Sequence, residues 1–124
     1  MSRKQIYQFL TNTLGVKVHQ DLVPEDQALP SASYYLVSEP TEGALKGGVD
    51  LRKYNVQVDV ITNTSRLDTD VLTNKLKAFD NFCTHPDFQK ISIIACGDSP
   101  RVDTNVKIFQ TSLDVEFTMR KIAV

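Results

Sequence analysis

The stretch LRKYNVQVDVIT, residues 51–62, followed without a break by NTSRLDTDVLTNKLKAFDNF, residues 63–82, decides the fold. Its first half alternates: Tyr54, Val56, Val58 and Val60 face one way and Lys53, Asn55, Gln57 and Asp59 the other, the two-residue period of a strand with one buried face. Its second half changes period. Ser65 with Asp68 three residues on forms a capping box, and Leu67, Val71, Leu72, Leu76, Phe79 and Phe82 recur at helical spacing, which predicts a helix of about seventeen residues closed by Pro86. A half-buried strand running straight into an amphipathic helix points to helices laid on one face of a sheet.

Working outward toward the C-terminus, ISIIA at residues 91–95 is short and β-branched, and the turn signal CGDSP closes it, so it reads as another strand. The segment from Thr104 to Arg120 is long for one strand. Phe109, Leu113, Val115, Phe117 and Met119 share one parity, while Val106 and Ile108 fall on the other with Gln110, Ser112, Asp114 and Glu116. Either a bulge flips the register near its start, or Val106 and Ile108 are apolar residues on the polar face because they meet another chain.

Toward the N-terminus, Ser2 and Gln5 form a capping pattern, and Ile6, Phe9, Leu10 and Leu14 mark a helix over 2–14 that Gly15 ends. Val16 to Val18 alternate briefly, Pro24 and Pro30 impose an irregular connection, and SYYLVS at 33–38 is a further strand. Pro40, Gly43, Gly47 and Gly48 mark a flexible loop, with Leu45 and Lys46 at its centre as candidate assembly contacts beside Val106 and Ile108. The expected order is α-β-β-β-α-β-β: an α+β domain spanning 1–124, with a mostly antiparallel sheet of four to five strands and two helices packed on one face.

The chain has 124 residues, 41% of them hydrophobic, enough to bury about two thirds of its unfolded surface without disulfides. Fourteen Lys and Arg against fifteen Asp and Glu leave a net charge of −1. Without a basic run, a dedicated DNA or RNA reader is not expected. No apolar stretch reaches the ~20 residues of a bilayer span, and the amphipathic start MSRKQIYQFL differs from a secretory signal, so the chain reads as cytosolic. Cys83 and Cys96 lack metal-ligand spacing and are expected as small core residues.

Catalytic signatures are missing in turn. The sequence holds neither GxGxxG nor GxxxxGK[ST], and no serine sits in a GxSxG elbow. His19 and His85 are isolated, and Asp68 with Asp70 lies where acids favour the positive end of a helix. No catalytic residue, cofactor or metal is expected, and a small neutral module without a reactive centre points to assembly.

With these elements in order, the sequence resembles the tail-terminator or tail-completion (minor tail) proteins of long-tailed bacteriophages. The resemblance covers nearly the whole chain: an N-terminal helix, ALPSASYYLV, a glycine-bearing loop, RKYNVQVDVIT, the helix SRLDTDVLTNKLKAFDNF and the closing VKIFQTSLDVEFTMR. It implies a protein that stops growth of the tail tube and forms a ring, a hexamer in this family, that docks to the head. The implied partners are further copies of itself, the major tail tube protein and the head connector or neck protein, with DNA only passing through the lumen and no membrane. The implied location is the virion, at the tail end, after assembly in the host cytoplasm. The polar strand faces, Asn55, Gln57 and Asp59 with Ser112, Asp114 and Glu116, are candidates to line that lumen. Three other readings stay open: a related neck-joining protein, a ligand-binding module with a pocket of Tyr54, Phe79 and Phe109, and an enzyme using His19 or His85 at a subunit boundary.

Overall fold

The computed structural model describes residues 2–21, 29–38, 49–80, 88, 90–99 and 108–122. In chain order the elements are α1 (Ser2–Leu14), β1 (Lys17–Gln20), β2 (Ser31–Ser38), β3 (Val49–Thr62), α2 (Arg66–Lys77), β4 (Lys90–Ser99) and β5 (Phe109–Ile122). This is the expected α+β order. Leu45, Lys46, His85, Cys83, Phe82 and Val106 lie outside the described residues.

The strands form one five-stranded sheet in the order β1-β2-β3-β5-β4. Its centre is the β3–β5 ladder, antiparallel and unshifted from Val49↔Ile122 to Thr62↔Phe109. β2 and β4 flank that ladder in antiparallel pairing, and β1 adds to β2 in parallel. Because β3 and β4 are both antiparallel to β5, they run the same way, so α2 is the crossover of a split β-α-β unit with β5 inserted between its strands.

Both helices cover the face carried by Val18, Ala32, Tyr34, Tyr54, Val56, Val58, Val60, Leu113, Val115 and Phe117, all buried. From α1, Ile6, Phe9, Leu10 and Leu14 enter this core, and from α2, Leu72 and Leu76. Each such aliphatic or aromatic side chain removed from water contributes about 1.5–3 kcal/mol. Phe9 is the hub, its ring 5.0 Å from that of Phe79 and 5.6 Å from those of Phe88 and Phe117 in edge-on geometry. Gly15 ends α1 with φ +70°, and its N–H donates to Thr11 O at 3.0 Å, the left-handed helix stop that glycine adopts without a Cβ penalty.

The structure corrects several expectations. α2 has twelve residues, and its buried stripe is Thr69, Leu72, Thr73 and Leu76, whereas Leu67 and Val71 are 73% and 56% exposed. The rotation is set at the first turn. Ser65 Oγ accepts from Asp68 N at 3.2 Å, and Arg66 reaches β5, donating to Gln110 O at 2.7 Å with its guanidinium 5.4 Å from the Phe109 ring centre. The two threonines tolerate burial because their hydroxyls return to the helix backbone, Thr69 to Arg66 O at 2.6 Å and Thr73 to Asp70 O at 3.1 Å. Cys96 is exposed, not a core residue, and β4 continues through it to Ser99 where a turn was expected. Ile108 precedes β5, which starts at Phe109 and pairs with β3 without a register shift, while Val106 and any bulge before Ile108 lie outside the described residues.

Candidate functional site

The face of the sheet opposite the helices carries the chain's concentration of ordered polar groups. β3 and β5 alternate in phase, so the register places Asn55 beside Glu116, Gln57 beside Asp114 and Asp59 beside Ser112. All six residues singled out in the sequence thus share one surface. A relay crosses three strands: Tyr35 Oη donates to Gln57 Oε1 at 2.7 Å, Gln57 Nε2 donates to Asp59 Oδ1 at 3.1 Å, and Ser112 Oγ donates to the same oxygen at 2.6 Å. Hydrogen bonds to an ionised carboxylate are the stronger kind, and here they fix Gln57 and Ser112 around Asp59. Asn55 Nδ2 donates to Ser38 Oγ at 2.9 Å.

Charge on this face is graded along the strands. Lys53 and Lys90 lie in register on either side of Thr118, forming a basic row. Glu116 follows two residues along β5, 3.9 Å from Lys53 Nζ, and then come Asp114 and Asp59. The Lys53–Glu116 pair is open to water and contributes at most about 1 kcal/mol.

Two residues missed in the sequence complete the face. The β2–β3 register shifts between Leu36 and Ser38, and the β4–β5 register shifts between Ile93 and Ala95. Leu36 pairs with Val56, Ile93 pairs with Val115, and Val56 pairs with Val115, so the two bulges stand at one level on opposite sides of the central ladder. The displaced residues are Val37 and Ile94, 57% and 62% exposed, and they flank a trough whose lining includes Tyr35, Asn55, Gln57, Asp114 and Glu116. Asp80, just past α2, fixes the second bulge by accepting from Ile93 N at 2.8 Å. The signal was present: LV at 36–37 and II at 93–94 are doubled apolar residues that break alternation.

Other candidates do not converge. Tyr54 pairs with Phe117 and Phe109 with Thr62, eight positions apart along β3 or about 26 Å, so no pocket unites Tyr54, Phe79 and Phe109. His19 is half-buried in β1 opposite Ser33, its Nε2 without a hydrogen-bond partner among the described residues. No cluster of three His, Cys, Asp or Glu suited to a metal occurs among the described residues, and no described helix is long and apolar enough to cross a membrane. Among the described residues the Tyr34 phenol is pushed above its ordinary range by burial, opposed by Arg3 and reinforced by Tyr7 and Asp21.

Neither a protein-family model nor a curated protein matches this sequence. Among solved structures, a chain from the virion of a native gene transfer agent particle superposes with a TM-score of 0.57, over 90% of this chain and 84% of that one, at 13% identity. The likeness is one of fold. It takes in most of both chains.

Proposed function

We propose that this chain is a non-enzymatic structural protein of a phage-like virion, which caps the growing tail tube, stops its polymerisation and provides the ring-shaped joint to the head. The observation that carries the reading is the fold shared with a gene transfer agent virion chain over nine tenths of the length. The sequence resemblance to tail terminators, reached from strand and helix order, supports it independently. Work of this kind needs shape and not a reactive group: one face of a closed ring meets the last ring of the tube and the other meets the head connector. A net charge of −1 suits a ring through which DNA slides, since a strongly basic lining would hold phosphates.

The test is tube growth. Purified chain added to polymerising tail tube protein is expected to yield short tubes with a ring at one end in electron micrographs, and light scattering of the chain is expected to show a mass near six subunits. Tubes that lengthen unchecked at saturating chain would overturn the capping role. If the chain binds head connectors under those conditions and leaves tubes alone, the neck-joining role takes its place.

A further inference from the structure

The trough is walled by Val37 on β2 and Ile94 on β4, three strand spacings or about 14 Å apart, with Asp114 and Glu116 in its lining. That width admits a helix, about 10 Å across. Charge is lopsided about the walls, which stand at the Val56–Val115 level. Asp114 lies one residue beyond that level, about 3.4 Å, and Asp59 three residues, about 10 Å. In the other direction Glu116 is engaged by Lys53, and the Lys53–Lys90 row follows at about 10 Å. On the far side of the molecule, α1 presents an outward face of opposite sign. Arg3, Lys4, Tyr7 and Gln8 are exposed there, and neither aspartate nor glutamate occurs in Ser2–Leu14. Two cations at a helix N-terminus oppose the macrodipole, so they do not serve the helix itself. Helical geometry puts both one turn before Tyr7 and on either side of it.

We propose that the outward face of α1 of one subunit seats in the trough of the next, with Tyr7 between Val37 and Ile94 and with Arg3 and Lys4 against Asp114. A chain cannot make this contact with itself, because α1 packs on the opposite face of its own sheet. The occupant is a second copy because the apolar and the charged contacts fall in one register. Lys4 and Arg3 precede Tyr7 by three and four residues, about 4.5 and 6 Å along a helix. With Tyr7 level with the walls and the helix N-terminus directed away from the lysine row, both cations come between Asp114, at about 3.4 Å, and Asp59, at about 10 Å. Reversal would carry them toward Lys53 and Lys90, so charge also fixes direction. The contact joins two different surfaces of one chain, and repeated by a rotation it closes a ring. This deepens the ring reading above and rests on it. It also assigns Gln57 and Asp114 to a subunit boundary, where the resemblance suggested a lumen.

Charge reversal with rescue tests it, read by light scattering and sedimentation over a concentration series, or on tail-tube ends if the parent assembles only there. Lys4→Glu and Asp114→Lys are each expected to raise the concentration for half-assembly roughly tenfold, about 1.4 kcal/mol of association, and the double variant is expected to recover the parent value. Lys4→Glu separates assembly from folding, because an acid in the first turn favours the helix: its thermal midpoint should equal or exceed the parent's while its assembly weakens. Tyr7→Ala and Ile94→Asp should stay monomeric where the parent assembles, with circular dichroism spectra like the parent's. Parent-like assembly by all four single variants, or a double variant that assembles no better than Lys4→Glu alone, would overturn the contact and leave the ring reading standing. A parent chain that stays monomeric even on tail-tube ends would overturn both.

Discussion

Phe117 shows how much rests on single side chains. It is fully buried, touches the ring of Phe9 and lies 4.9 Å from that of Phe88, so Phe117→Ala removes a ring that helix and sheet both need. The expected loss is about 3–5 kcal/mol, seen as a lower urea midpoint. Gly15 is the opposite case. Nothing lies within 4 Å of where its Cβ would stand, so Gly15→Ala meets only backbone strain at φ +70° and should cost about 1–2 kcal/mol by the same measurement. Tyr34 adds a pH dependence. Its phenol holds its proton more tightly in the fold than in the unfolded chain, so its contribution is full below the unfolded value near pH 10 and is lost as pH rises through the folded one. Urea midpoints measured across that range should fall, and Tyr34→Phe should flatten the fall. At this scale the sequence was a good guide wherever a residue's neighbours lie on its own element, as with Gly15 and the β3 valines. It misled at Cys96, because an edge strand can leave a small apolar residue in water.

Elements show where local pattern stops being sufficient. All seven appear in the expected order, since period and turn chemistry are local signals. The rotation of α2 was not legible: its apolar residues outnumber what the core takes, and the deciding contacts, Arg66 to Gln110 and to Asp98 at 3.4 Å, join residues far apart in the chain. Ser65→Ala should lower stability by about 1 kcal/mol through loss of the cap on α2. Asp80→Ala removes the acceptor that holds the β4 bulge, and the amide of Ile93 is expected to exchange with solvent markedly faster while those of Val56 and Val58 stay protected. Unchanged exchange at Ile93 would mean that the bulge is held by its strand alone. The six polar residues were legible as two half-faces, but joining them needed the β3–β5 register, which stays open until the core chooses one.

At the scale of the whole molecule, the sequence offered function only as an expected absence and a resemblance, because the assembly role proposed above needs no reacting atoms and hence no fixed spacing. The two bulges make the point: each is spelled by a doubled apolar pair, yet their common level across the sheet exists only after three strands have aligned. The central ladder has a mechanical consequence as well. Fourteen residues of strand reach about 45 Å, while α1 and α2, of thirteen and twelve residues, reach only about 18–20 Å. β2 leaves β3 at Asn55 and β4 leaves β5 at Thr118, so residues 49–52 and 119–122 continue as a bare two-stranded ribbon among the described residues. Within the β3–β5 ladder, hydrogen exchange should therefore run faster over residues 49–52 and 119–122 than around Val58 and Leu113. In engineering terms the described sheet is a plate with a cantilever: among these residues the two-strand ribbon bends more easily than the part braced by β2 and β4.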